Sequence, residues 1–101
     1  MALAFKQVTI NFDATSGITQ NEPFTAVFNG KVRKAEAVLK GFRIGFTNDD
    51  HEFFTEEIDI DVDQVSGTSV KGRVQFLLRD DTGTGNPFGG YVQLVVIADV
   101  E

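Results

Sequence analysis

The stretch Ile58-Asp59-Ile60-Asp61-Val62-Asp63 alternates apolar and acidic residues without a break. A period of two places one kind of side chain on each face of a β-strand, whereas a helix repeats every 3.6 residues. We therefore predict a strand from Phe53 to Val62, with its isoleucines facing a core and its carboxylates facing water. The segment that follows carries a basic row, Lys71, Arg73 and Arg79, that would pair across strands with the acidic row.

The same period of two recurs on both sides of this stretch, with turn residues between the segments. Short strands at fairly even spacing are typical of a sandwich or a small barrel. With 101 residues, one domain over 1–101 is the economical interpretation. We predict an all-β fold, a six-stranded antiparallel β-sandwich. Its other strands are Leu3–Phe12, Pro23–Phe28, Lys34–Phe46, Val70–Arg79 and Tyr91–Val100.

Three places interrupt the regular pattern. Leu3 and Phe5 have the opposite parity to Val8 and Ile10, so a bulge near residues 6–7 would bring both pairs to one face. The parity changes again at Lys40-Gly41, which predicts either one long bulged strand or two shorter strands with a bend. A helix over residues 32–39 is the less favoured alternative. Asn29-Gly30 is a strong hairpin signal between the second and third strands.

Charge and composition exclude several classes of function. Fifteen acidic and nine basic residues give a net charge of −6, which disfavours binding to nucleic acid. The absence of cysteine excludes disulfides, thiolate zinc sites and a cysteine nucleophile. Without an apolar run of roughly 18 residues, membrane insertion is not expected. We expect a soluble protein, cytoplasmic or released without a visible signal peptide.

The last strand is apolar on both faces. Val92, Leu94 and Val96 share one face, and Tyr91, Val95 and Ile97 share the other. Only one face of a sandwich strand meets the core, so the second must be covered otherwise. We predict a homo-oligomer with Tyr91, Val95 and Ile97 at its interface.

Residues suited to catalysis or to metal binding are few. His51 is the only histidine and no Gly-x-Ser-x-Gly motif is present, so we expect no catalytic residues and no enzymatic activity. We also expect no metal and no cofactor, since no Asp-x-Asp-x-Asp-Gly loop occurs. Calcium is the alternative, and its candidate ligands are Asp49, Asp50, Asp80 and Asp81.

The glycine-rich loop Asp80–Gly90 lacks the Lys-Ser/Thr ending of a phosphate-binding loop. Phe88 and Tyr91 flank it, and aromatic faces of this kind stack on sugar rings. Loops on a rigid sandwich often carry binding residues. We therefore name Phe88 and Tyr91 as candidate ligand contacts, together with Asp49, Asp50 and His51 of the polar loop.

Four segments resemble the H-type lectins in order and spacing: residues 35–42 (AEAVLKGF), 48–51 (NDDH), 58–62 (IDIDV) and 95–98 (VVIA). The resemblance implies a six-stranded sandwich that assembles as a trimer or hexamer and binds glycans. The family's tryptophan and sugar-contacting arginine have no counterpart, so no binding residue carries across. The first functional hypothesis is thus a lectin-like carbohydrate-binding oligomer. The alternatives are a structural assembly subunit without a small ligand, and a calcium-dependent surface module.

Overall fold

The computed structural model describes residues 2–15, 19–46, 53–80 and 88–101, and these residues form six β-strands. The predicted all-β class is confirmed. The strands are β1 (Ala2–Thr15), β2 (Thr19–Val27), β3 (Val32–Phe46), β4 (Phe53–Ser66), β5 (Ser69–Asp80) and β6 (Phe88–Val100).

The six strands form two three-stranded sheets that pack face to face. Sheet A has the order β1-β6-β3, and sheet B has the order β2-β5-β4. Every pairing is antiparallel. The predicted six-stranded antiparallel sandwich is therefore confirmed. Because the strands are long, the molecule is a rod of about 50 × 19 × 19 Å.

The core lies between the two sheets and is built on three phenylalanines. Phe12 stacks on Phe76 with 4.0 Å between ring centroids, and Phe88 meets Phe12 edge-on at 6.0 Å. Phe76 and Phe88 are fully buried. Four consecutive even-numbered residues of β6 are also fully buried, as the alternation predicts: Val92, Leu94, Val96 and Ala98.

β3 is one long strand with a bulge at the predicted position. Its pairing with β6 shifts by one residue between Leu39 and Gly41. The shift brings residues of both parities to the core side, so that Ala37 and Ile44 both pack against the core. Phe42 pairs with Val92 in the core-facing register, yet it is 46% exposed because β3 is an edge strand.

The bulge predicted near residues 6–7 of β1 is wrong. β1 pairs with β6 without a shift from Ala2 to Phe12, and the irregularity lies between Phe12 and Thr15. An unbroken ladder keeps every hydrogen bond to β6, and it forces Leu3 and Phe5 onto the face away from the core. Ala4 packs inward instead.

The hairpin predicted at Asn29-Gly30 is also wrong, because β2 lies in sheet B and β3 in sheet A. The backbone N–H groups of Phe28 and Val32 donate to the carbonyls of Thr68 and Gly67, at the β4–β5 turn. The segment therefore crosses between the sheets.

The β4–β5 connection is the tight hairpin of this fold. β4 ends at Ser66, β5 begins at Ser69, and these two residues pair directly. Gly67 has a φ of 59°, whereas Thr68 does not have a positive φ. A single glycine with positive φ at the first central position is typical of a type II′ turn, whose twist suits antiparallel strands.

The acidic row of β4 meets a mixed row on β5. Asp61 lies opposite Arg73, but Asp59 lies opposite Gln75. Arg73 Nε is 3.7 Å from Asp63 Oδ2 in an exposed ion pair. The predicted pairing of acidic and basic rows thus occurs at Arg73 and does not extend along the whole strand.

Candidate functional site

The candidate site is the outer face of sheet A, which points away from the core. Alternation along β6 sends its odd-numbered residues to this face, and the register of β1 and β3 aligns their residues with them. The rows run across the sheet as Leu3–Asp99–Lys34, Phe5–Ile97–Glu36, Gln7–Val95–Val38 and Asn11–Tyr91–Arg43.

An apolar patch occupies one half of this face. Its members are Leu3, Phe5, Val38, Val95 and Ile97. Leu3 is 65% exposed, Phe5 is 66% exposed and Val38 is 47% exposed. Within the described residues the two sheets pack on their inner faces, so no strand covers the patch. Large apolar side chains left open together on a sheet face mark an interaction surface.

The three residues predicted at an interface, Tyr91, Val95 and Ile97, all lie on this face. Each is partly buried by its neighbours and none lies in the core. Val95 and Ile97 lie within the apolar patch, and Tyr91 lies toward the other end, beside Arg43. The oligomer itself stays a prediction.

Four charged residues of the outer face are divided between its two ends. Glu36 and Asp99, which we call the acidic end, lie beside Leu3 and Phe5. Lys40 and Arg43, which we call the basic pair, lie toward Tyr91. Lys34 is the exception, because it lies in the row of Asp99; the charges of these five residues sum to +1, whereas the whole chain carries −6. Exposed carboxylates gather instead on β4, at Glu57, Asp59, Asp61 and Asp63.

Lys40, at the β3 bulge, reaches across β6 to β1, where its Nζ donates a hydrogen bond to Gln7 Oε1. Both side chains are exposed. This contact fixes Lys40 on the outer face and places its ammonium near Val95, next to the apolar patch.

An open hollow of about 380 Å³ lies at the acidic end. Its lining residues are Leu3, Lys34, Ala35, Glu36, Ile97 and Asp99. Asp99 Oδ1 is buried and has no hydrogen-bond partner within the described part of the chain. A buried acceptor without a donor costs about 1–3 kcal/mol.

Of the residues predicted from sequence to contact a ligand, Phe88 and Tyr91 lie within the described residues. Phe88 is fully buried and packs edge-on against Phe12, which removes its ring from any sugar-stacking surface. Phe88 faces the core whereas Tyr91 faces outward, so the two rings do not share a platform. Asp49, Asp50 and His51 lie outside the described residues.

Of the four candidate calcium ligands, Asp80 lies within the described part of the chain. Asp80 is the last residue of β5, and Asp49, Asp50 and Asp81 lie outside the described residues. Among residues 2–15, 19–46, 53–80 and 88–101, no group of three or more potential metal ligands occurs. No helix in that part of the chain is long and apolar enough to cross a membrane.

Sequence reasoning missed Leu3, Phe5 and Asp99. The signal was present in the parity of the first two, which is opposite to that of Val8 and Ile10. Asp99 has the same parity as Val95 and Ile97, which places it on the same face. Its burial depends on neighbours from β1 and β3, and the sequence does not show which strands flank β6.

Comparison of the chain with family models, with curated proteins and with solved structures found no match. The resemblance to H-type lectins therefore stays a prediction.

Proposed function

We propose that this chain is a structural assembly module that pairs with a second copy of itself through the outer face of sheet A, without enzymatic activity or a small-molecule ligand. The observation that carries the proposal is the exposure of Leu3 and Phe5, which are about two-thirds exposed beside Ile97 on the outer sheet face. Sheet faces of this kind become buried when a second sheet packs about 10 Å away.

The size of the face is adequate for a stable interface. The molecule measures about 50 Å along its strands and 19 Å across them, so the area of one face is at most roughly 950 Å². A standard interface buries roughly 800 Å² on each partner. Most of this face must therefore take part, which fits a sheet-on-sheet contact better than a contact at one end.

The charge distribution also favours a second copy as the partner. The net charge of −6 would make two copies repel each other if it were spread evenly. Much of it lies elsewhere, because the five charged residues named above on the outer face of sheet A sum to +1 and β4 carries a row of exposed carboxylates. Two such faces meet with little net repulsion.

The assembly hypothesis has more support than the carbohydrate-binding alternative. A sugar site needs an accessible aromatic ring with polar groups around it, and Phe88 is inside the core. Tyr91 lies on the outer face with Asn11 and Arg43 across the strands, so dimerisation through this face would cover it.

Sedimentation velocity over a range of about 1 to 500 µM tests the proposal. We expect the wild-type chain to sediment as a dimer at the upper concentrations and to dissociate on dilution. Phe5→Ser removes a ring that is 66% exposed in one copy. Full burial of such a side chain stabilises by about 1.5–3 kcal/mol. Losing two-thirds of that free energy in each of the two copies raises the dimer dissociation constant roughly 30-fold or more.

Val27→Ser is the control, because Val27 is an apolar residue that is 51% exposed on sheet B, away from the proposed interface. It should leave the dimer unchanged. A wild-type chain that stays monomeric at 500 µM would overturn the proposal, as would equal effects of the two substitutions. Binding to an immobilised glycan that Phe5→Ser does not alter would replace it with the lectin hypothesis.

A further inference from the structure

We infer that each chain has a second contact for self-association, in which β3 of one copy pairs edge to edge with β4 of another copy and β4 of the first pairs with β3 of the second. This contact is separate from the outer face of sheet A and does not depend on pairing through that face. It joins two sandwiches side by side, so that each layer becomes a continuous sheet of six strands.

The strands β3 and β4 are the free edges on one side of the sandwich. β3 pairs only with β6, β4 pairs only with β5, and β3 packs over β4. Among the described residues each strand therefore presents a row of backbone N–H and C=O groups without a ladder partner. The opposite side is bridged, because Lys6 Nζ of β1 donates to the carbonyl of Val27 of β2 at 2.9 Å. Within the described part of the chain, no such hydrogen bond or ion pair joins β3 to β4.

These two edge strands carry opposite charges. β3 has four basic residues and one acidic residue, whereas β4 has five acidic residues and no basic residue. Two copies can meet along this side about a twofold axis that runs either perpendicular to the sheets or along the strands. The perpendicular axis places β4 beside β4, where no cation of either strand offsets the carboxylates. The axis along the strands places basic β3 beside acidic β4, so electrostatic complementarity favours this arrangement.

The stack of Phe12 on Phe76 shows which residues of β3 and β4 lie at the same level of the molecule. In sheet A, Phe12 lies in one row with Ile44, because both pair with Gly90 of β6. In sheet B, Phe76 pairs with Ile58. The start of β3 meets the β4–β5 turn, so β3 and β4 run in opposite directions. An axis along the strands keeps these levels in the second copy and makes the pairing of β3 with β4 antiparallel.

Opposite charges then meet on the outward side of the paired edges. Arg43 and Asp59 are each one residue from the aligned rows, and both are exposed. Arg43 lies on the outer face of sheet A and Asp59 on the outer face of sheet B, and the axis turns these two faces to the same side. Lys40, the other member of the basic pair, donates to Gln7 and points away from this edge. Arg43 is therefore the cation that meets β4 of the second copy.

Apolar side chains meet on the inward side of the same edges. Leu39 and Phe42 pair with core residues of β6, yet they are 44% and 46% exposed because the edge is open. Ile60 and Val62 of β4 pack against the core and are only partly buried. Edge pairing covers both sets of side chains and continues the core from one copy into the next, which favours association through the hydrophobic effect.

Two bulges limit the length of this contact. The edges are regular over residues 41–46 of β3 and 57–62 of β4, and the register shifts at Lys40 and at Asp63. Six residues span roughly 20 Å along a strand. With a width of 19 Å, the contact covers roughly 400 Å² of each copy, about half of a standard interface. We therefore expect edge pairing at millimolar concentrations, above the range in which the outer faces pair.

The test uses the Leu3→Ser/Phe5→Ser chain, in which pairing through the outer face is removed, in sedimentation equilibrium up to about 2 mM. We expect a dimer that Arg43→Asp and Asp59→Arg each weaken about tenfold, because each change occurs twice in the dimer. The two changes together should restore the dissociation constant to within about threefold, since the charges are then only exchanged. Lys34→Asp is the control, because it makes the same kind of charge change on β3 outside residues 41–46.

Hydrogen exchange of the Leu3→Ser/Phe5→Ser chain gives a second measurement. Between about 0.05 and 2 mM, amides within residues 41–46 and 57–62 should become more protected, whereas those of β2 on the opposite side should not. A chain that remains monomeric at 2 mM overturns edge pairing, as does a double variant that is not restored or an equal effect of Lys34→Asp. None of these results affects pairing through the outer face. If edge pairing is found but the wild-type dimer is insensitive to Phe5→Ser, the proposed function fails and this inference stands.

Discussion

Gly72, in the middle of β5, lies directly beneath the ring of Phe24 on β2. The two residues pair across the strands, and both are buried. A Cβ added at position 72 would lie 2.5 Å from Phe24 Cζ and 2.7 Å from Cε2, and closer still to the carbonyl oxygen of Asp61 on β4. Gly72→Ala would therefore clash with both neighbouring strands of sheet B, β2 and β4.

The loss of stability in Gly72→Ala follows from how little these neighbouring groups can move. Phe24 is only 4% exposed, so its ring has no free space to enter, and Asp61 presents backbone, which yields only if the sheet deforms. Overpacking of a core by one carbon typically costs about 1–3 kcal/mol, and the backbone contact puts this site at the upper end. For a domain of this size, 3 kcal/mol lowers Tm by about 12–20 °C.

Urea denaturation followed by circular dichroism, at one fixed protein concentration, measures this cost. Gly45→Ala on β3 is the control, because an added Cβ there meets nothing within 4 Å. We expect that control to be neutral or more stable by up to about 1 kcal/mol, through the lower entropy of its unfolded state. If Gly72→Ala unfolds at the same urea concentration as Gly45→Ala, residue 72 is not closely packed beneath Phe24.

Three further predictions concern the turn, the core and the surface, each measured by the same urea titration. Gly67→Ala at the β4–β5 turn should cost about 1–2 kcal/mol, because the residue has a φ of 59°; a neutral result would contradict the type II′ assignment. Phe76→Ala should cost about 3–5 kcal/mol, since it removes a fully buried ring stacked on Phe12 at 4.0 Å; a loss below 1 kcal/mol would mean that the stack is not central to the core. Arg73→Ala should change stability by less than about 0.5 kcal/mol, because its ion pair with Asp63 is exposed and 3.7 Å long; a larger loss would show that the pair is not screened by solvent.

The strands and the β3 bulge could be predicted because each is encoded locally. Alternation from Ile58 to Val62 fixes a strand and its faces within a few residues. The parity change at Lys40-Gly41 fixes the bulge in the same way, and the register shift between Leu39 and Gly41 agrees.

The predictions that failed depend on partners far away in the chain. The sequence shows the parity change between Phe5 and Val8, but whether it means a bulge or an exposed pair depends on the ladder with β6. Asn29-Gly30 has the composition of a hairpin turn, yet β2 and β3 each have a better partner elsewhere. Local signals identify a turn and do not identify which strands it joins.

Only part of the candidate site could be predicted, because the rest depends on strands that are far apart in the sequence. The two apolar faces of β6 pointed to a surface containing Val95 and Ile97, and the structure places both on the outer face of sheet A. The hollow at Asp99 forms only when Leu3 and Lys34 are brought beside it. Phe88 was assigned from its position next to a loop, whereas its parity along β6 places it in the core.

The central position of β6 in sheet A has a consequence for how the chain is made. β6 is synthesised after the other five strands, and it pairs on one side with β1, where Ala2 lies opposite Val100. Until it emerges, β1 and β3 have no partner in sheet A, and both edges of each strand are unpaired. The pairing of β1 with β6 closes a loop that includes the four strands between them, and such long-range pairing is slow. We therefore expect this chain to fold in milliseconds to seconds, like other β proteins with long-range pairing. A nascent chain stalled before β6 would be the most aggregation-prone form of this protein. Sheet A would then lack its central strand, and its core face would be uncovered.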